Sequence, residues 1–468
     1  MALLSIECQT PYVGGVAALY AATERSQRVV IRHAGCAYAK NTDLKPATEE
    51  NEQNLFETIR TAVAERRRKA GTDGTRRRVR QPAENNRCHE NESSTSSRFS
   101  PSLLLARSFC AAVSKSIEAQ PLSSTDASMS ASPLQDGERA WPKVLVSYRE
   151  PHRGRSLLEL MITLVPFLGF WTLAAMAVHH GLWWGMALTV PAAGFLLRLF
   201  MIQHDCGHGS FFAHRKADDW TGRAIGVLTF TPYDYWRRAH AAHHASAGNL
   251  DERGVGDITT LTVAEYRNLP RSRRLVYRLY RNPVVMFGIG PIWLFLLKQR
   301  LPFGMMRSGM EPWVSTMATN LAILVLSFGL IWLVGLGPII LVQLPVVVLA
   351  GSAGIWLFYV QHQFEETHWS QRPQWQFQEA ALHGSSYYEL PSVLRWLTAN
   401  IGIHHVHHLS SRVPYYRLTE VLRDYPELRG IGRITIMESI RCVKLVLWDE
   451  RRQRLVSFTE AFQAAKSR

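Results

Sequence analysis

The 468-residue chain carries 53 Lys and Arg against 38 Asp and Glu, a formal net charge of +15, and 47% of its residues are hydrophobic. A charge of that sign points to nucleic acid or anionic lipid. The excess arginines, however, lie in an N-terminal arm and in loops beside apolar stretches, with no nucleic-acid-reading motif among them, so lipid headgroups are the expected partner. The six cysteines are scattered, Cys8, Cys36, Cys88 and Cys110 in the arm and none in a CxxC pair, which excludes a disulfide framework or zinc ribbon and fits a reducing cytoplasmic setting.

Residues 1–135 are polar, arginine-rich and broken by Ser/Thr runs, and they include the solvated clusters Arg66, Arg67, Arg68 and Arg76, Arg77, Arg78. No basic stretch followed by a long apolar one opens the chain, and the transit-peptide-like composition of 93–116 begins too far in. The arm reads as a low-complexity, disordered segment or a mis-assigned extension, with translation starting near Met129 and one functional domain over 136–468.

Apolar stretches follow at 157–178 and 182–201, split only by His179, His180 and Gly181, and again at 313–334 and 339–361, split by Gly335, Leu336, Gly337 and Pro338. Each can cross a hydrocarbon core of about 30 Å, and turns this short make each pair a helical hairpin. Between them, 283–297 is shorter, carries Gly288, Gly290 and Pro291, and reads as an interfacial or re-entrant element. The expected fold is an all-α integral membrane protein with two hairpins, four spans and a helical cap. Basic residues crowd the outer flanks and the middle loop while both turns lack them, which places both termini and the cap in the cytoplasm.

Histidines cluster on that same face. His204-Asp205-Cys206-Gly207-His208 puts two imidazoles four residues apart, one above the other on a helix. His240-Ala241-Ala242-His243-His244 and His404-His405-Val406-His407-His408 each set i, i+3 and i+4 imidazoles on one face, with His405 turned about 100° away, toward groups behind the ligands or toward the lipid interface. One such pair arises readily by chance; three boxes beside spans on one side do not. Eight imidazoles exceed one tetrahedral zinc but can surround two iron ions with room for dioxygen, and no paired ExxH pattern suggests a carboxylate-bridged site. His362, at the end of the last span, is the candidate ninth ligand or else an interfacial group; His368 is less well placed, and His214 and His383 read as surface groups. Asp205 is expected to orient a liganding imidazole through its other ring nitrogen, with capping as its plainer role, and Asp234, Asn249, Asp251 and Asn400 are further polar candidates.

The three boxes, in this order between paired spans, resemble the membrane fatty acid desaturase family over roughly residues 142–426, and segment 399–411 looks most like bacterial delta-12 or omega-6 acyl desaturases. The resemblance implies metal ligands at His204, His208, His240, His243, His244, His404, His407 and His408, and suggests His362. It further implies that two iron ions and dioxygen remove two hydrogens from neighbouring methylenes of a fatty acyl chain carried on lipid, CoA or carrier protein, in a bacterial inner membrane. No cytochrome b5-like haem motif, dinucleotide fingerprint or iron–sulfur pattern is present, so two electrons must come from a separate ferredoxin-like or cytochrome b5-like donor. Phe211, Phe212, Tyr233, Tyr235 and Trp236 suit either an acyl tunnel or an interfacial belt. Similar boxes serve membrane hydroxylases and carotenoid ketolases. A metal transporter would need ionisable residues along its spans, which are nearly free of them.

Overall fold

A computed structural model describes residues 140–466 apart from Val255. The N-terminal arm, its 135/136 boundary and the start near Met129 lie outside the described residues. Among the described residues, four helices are long and apolar enough to cross a membrane: Arg153–His179, Trp183–His208, Met310–Val334 and Leu336–His362, with mean hydropathy from 1.7 to 2.1. At about 1.5 Å per residue each exceeds the hydrocarbon thickness by several residues, so the surplus reaches into the interface. The second span therefore runs without a break through the first histidine box, and the fourth ends on His362 itself.

First, second and fourth spans pack on one another, and the second is the most enclosed, with 56% of its apolar window buried. The third is different. Only 6% of its window is buried, and Leu324, Val325, Phe328 and Trp332 all face outward, as hydrocarbon allows and water would not. At the end away from the histidine boxes, Nδ1 of His179 meets the carbonyl of Val334 at 2.8 Å, which ties one hairpin turn to the other.

The spans are not free of ionisable groups. Glu159 in the first and Arg198 in the second are each 1% exposed and form an ion pair. Arg198 also donates to Thr163 Oγ1 at 3.1 Å and to the carbonyl of Trp396, while Glu159 accepts from Arg155 at 2.6 Å and from the Tyr415 hydroxyl at 3.1 Å. These charges cancel locally and join the first two spans to the cap; they do not line a path.

Between the hairpins, helix Arg271–Tyr280 meets the apolar segment Val285–Arg300 at a bend of 63°. That segment consists largely of π-helical turns, Val285–Ile289 and Ile292–Leu297. It lies against the fourth span, where Ser352 donates to the carbonyl of Phe287 at 2.5 Å. The cap is built of short helices and two small sheets. In one, β1 (Leu261–Thr262) runs parallel to β4 (Leu447–Asp449), which pairs antiparallel with β5 (Arg454–Val456). In the other, β2 (Tyr387–Tyr388) runs parallel to β3 (Arg433–Ile434). Both sheets join the middle of the chain to its C-terminal part, so the cap closes only when the tail docks.

Removing one partner of a buried ion pair leaves the other charge uncompensated, at a cost of about 3–5 kcal/mol. Arg198→Met should lower stability by about that amount, read as the unfolding midpoint in detergent, and adding Glu159→Leu should recover part of it. A single variant as stable as the parent would contradict this role.

Candidate metal centre

Helix Tyr233–Ser246 carries the second box and helix His404–Leu409 the third; they meet the ends of the second and fourth spans. At about 100° per residue, His240 and His244 stand about 40° apart, and His243 lies about 60° to the other side of His240. The structure resolves that angle into two groups. Nitrogens of His204, His208, His240, His244 and His407 all lie within 4.8 Å of one another, and those of His243, His362, His404 and His408 do the same. The i, i+4 pair of each HxxHH box serves one group and the i+3 histidine the other, a finer division than a single shared face.

The spacings fit metal ions and do not fit protons. Nε2 of His240 is 3.1 Å from Nε2 of His208 and 3.1 Å from Nε2 of His244, and Nε2 of His407 is 3.1 Å from Nε2 of His244. In the other group, Nε2 of His404 stands 3.1 Å from those of His362 and His408. A ring nitrogen either donates or accepts, so such a run cannot be satisfied by hydrogen bonds alone. Two nitrogens bound at about 2.1 Å and at right angles to one ion would stand about 3.0 Å apart. Nε2 of His243 is buried and has no hydrogen-bond partner among the described residues, which leaves its lone pair available to an ion.

The opposite ring nitrogens fix several of these planes. His204 Nδ1 donates to Asp205 Oδ1 at 3.2 Å, and the other oxygen of Asp205 accepts from the backbone N–H of Tyr415 at 2.7 Å. His362 Nδ1 donates to the carbonyl of Gly384 at 3.1 Å. His243 Nδ1 donates to Asp257, a carboxylate outside every box. Asp257 arrives there because Gly256 turns with φ +74° against the backbone of Ala239, where a side-chain carbon would stand 2.8 Å from the carbonyl oxygen. Gly402 likewise lets the turn before the third box press onto the backbone of Tyr388.

Burial holds the imidazoles of His240, His244, His404, His407 and His408 well below their usual value, and neighbouring imidazoles push the same way. Neutral rings are the form that binds metal. His405 is buried rather than at a lipid interface; it meets the carbonyl of Leu428 at 2.9 Å, and burial lowers it to about 4. His368, His214 and His383 are exposed and outside both groups.

The other polar candidates are structural. Asp234 pairs with Arg223, Asp251 accepts from the backbone of Arg372, and Asn400 donates to the carbonyl of Tyr415. Asn249 lines a cleft that reaches His243 and His362 past Asp257 and Phe358. None of the aromatics expected along a tunnel borders that cleft. Phe211 and Tyr233 are core residues, Phe212 packs against that core, and the Tyr235 hydroxyl donates to the carbonyl of Phe303. Trp236 stacks on His240, with ring centroids 4.7 Å apart and planes 14° from parallel.

The model of the family described as "Fatty acid desaturase" matches residues 181–436. A fatty acid desaturase of Bacillus subtilis is 43% identical over 316 residues, 68% of this chain and 89% of that protein. An omega-6 chloroplastic desaturase of Brassica napus is 27% identical over 63% of this chain and 61% of its own. An sn-1 acyl-lipid omega-3 desaturase (ferredoxin) of Synechocystis is 28% identical over 60% and 77%. With four apolar spans and two clusters of converging imidazoles able to hold metal, the chain belongs to the fatty acid desaturases, oxygen-dependent oxidoreductases of membranes.

Proposed function

We propose that this desaturase holds two iron ions, one on His204, His208, His240, His244 and His407 and the other on His243, His362, His404 and His408, and that it places a delta-12 (omega-6) cis double bond in a fatty acyl chain. The observation that carries the metal reading is the convergence of nine imidazole nitrogens in two groups. An all-nitrogen donor set with dioxygen chemistry suits iron better than a closed structural zinc site. The regiospecificity rests on segment 399–411 and on the omega-6 relative; the omega-3 relative sets the competing outcome.

When bound, the iron pair supplies dioxygen reduction coupled to hydrogen removal. Dioxygen, two electrons, two protons and one CH2–CH2 unit become two waters and one C=C. The chain's own part is to present neutral imidazoles in fixed planes: Asp205, Asp257 and the Gly384 carbonyl each hold an Nδ1 proton, so Nε2 faces the ion. Trp236 covers the flank of His240. An alkyl chain offers no polar handle near its reacting carbons, so position is chosen by shape. Electrons come from a separate ferredoxin-like or cytochrome b5-like carrier, and the exposed Arg271, Arg273 and Arg278 supply attraction for an acidic one. By the basic-residue bias the cap faces the cytoplasm, and the resemblance of segment 399–411 to bacterial acyl desaturases supports a bacterial inner membrane as its setting.

Fatty acid profiling of a heterologous host, with dimethyl disulfide adducts locating the new bond, should show a delta-12 product. An omega-3 product would reassign the position, and hydroxylated acyl chains or oxidised carotenoids without a new double bond would overturn the reading. His243→Ala should abolish the product and leave about one ion per chain, whereas retained product would remove His243 from the ligand set. Metal removal exposes a pH effect of defined sign. The folded chain keeps His404, His407 and His408 neutral, but the unfolded chain takes up their protons below about pH 6.5. The apoprotein should be most stable above that pH and lose stability as pH falls; a midpoint unchanged between pH 7.5 and 5.5 would contradict this.

A further inference from the structure

Arg281 follows helix Arg271–Tyr280 and is only 4% exposed. Among the described residues its guanidinium forms no ion pair; every partner is a neutral oxygen. Nη2 donates to the Tyr359 hydroxyl at 3.2 Å, to Gln363 Oε1 at 3.0 Å and to the carbonyl of Leu445 at 2.8 Å. Nη1 reaches Thr260 Oγ1 at 3.3 Å and the carbonyl of Thr259 at 3.5 Å. The Thr260 hydroxyl in turn donates to Gln363 Oε1 at 3.2 Å, and the Tyr359 hydroxyl also lies 2.9 Å from the Leu445 carbonyl.

Three stretches of chain meet on this one side chain, and two of them lead directly to the four-imidazole group. Tyr359 and Gln363 flank His362, three residues before it and one after, where the fourth span ends and the backbone leaves the helix at Gln363. Thr259 and Thr260 follow closely on Asp257, which accepts the Nδ1 proton of His243. The third stretch, at Leu445, leads into strand β4 of the cap. No comparable contact from Arg281 reaches residues adjoining the five-imidazole group.

We propose that Arg281 is a positioning residue for one metal ion of the pair: it clamps the end of the fourth span to loop 257–260 and so sets His362 and His243 at binding distance from a common ion. This rests on the division of the nine histidines given above. An arginine suits the task because its planar fork sends donors to several acceptors at fixed angles, and lysine, with a point charge on a flexible stem, does not reproduce that geometry. Loss of a residue that orients a metal ligand typically weakens metal affinity by about 10–100-fold, and here the loss should fall on one ion alone.

The test loads purified protein in nanodiscs with iron(II) and measures iron per chain and the time course of release to a ferrous chelator. The parent should hold two ions; His362→Ala should identify which release phase belongs to the four-imidazole group. Arg281→Met and Arg281→Lys should accelerate that phase by about 10–100-fold and leave the other phase within twofold. Thr260→Val, which keeps the side-chain shape while removing the hydroxyl that bridges Arg281 and Gln363, should shift the same phase in the same direction by a smaller factor. It carries the test by itself if the Arg281 variants do not fold. Equal acceleration of both phases would mean a general loosening of the cap and overturn the proposal, as would unchanged release in every folded variant. If instead His362→Ala leaves two ions with parental release, the division of ligands fails, independently of Arg281.

Discussion

An imidazole nitrogen that points at another imidazole nitrogen 3.1 Å away must either share a proton with it or face a cation with it. In this protein the nitrogens form runs that protons cannot satisfy, and the rest of the architecture serves to hold that otherwise unfavourable arrangement together. Histidines from two spans and two cap helices converge at one level because the spans outrun the hydrocarbon and deliver their last turns into the cap. The helical angle then divides the second and third boxes between both groups at once, so neither group could be shifted without rotating a helix that also carries part of the other.

Buried charge secures this convergence at two points. Near the first box, Glu159 and Arg198 neutralise each other and, through Tyr415, connect to Asp205 and His204. Near the fourth span, both Nη groups of Arg281 are taken up by neutral hydroxyl, amide and carbonyl oxygens, while its buried Nε finds no partner among the described residues. Desolvating either arginine is costly, and both are retained where chain segments remote in sequence must meet within hydrogen-bonding distance. Together they tie the two sides of the histidine cluster to the cap by different means, one ionic and one dipolar.

Much of this was legible beforehand. Span positions follow from hydropathy and length, and the converging histidines of the boxes from i, i+3 and i+4 spacing, because both signals are local; His362 was marked only by its place at the end of a span. The spans came out longer than their apolar stretches because helix continues as long as the backbone can hydrogen-bond, through His208 and His362. Asp257 was not legible: its approach to His243 depends on a turn at Gly256 and on how a loop folds back on its own helix. Nor were the partners of Glu159 and Arg198, 39 residues apart in sequence, since pairing across spans leaves no periodic trace. Asp205 could be guessed from its neighbour His204, but its second bond, to the backbone of Tyr415 210 residues away, could not.

The third span shows what happens where none of these constraints apply. Beyond its cap-side end, where Ser315 and Asn320 hold specific partners, Leu324, Val325, Phe328 and Trp332 turn outward with little of the helix against the protein, a surface suited to acyl tails, for which one apolar residue serves much as another. The requirement on that outward stretch is a length matched to the bilayer rather than a particular order of residues. Such a segment can drift in sequence while the enzyme stays the same, and bilayer thickness, more than the active site, sets the limits of that drift.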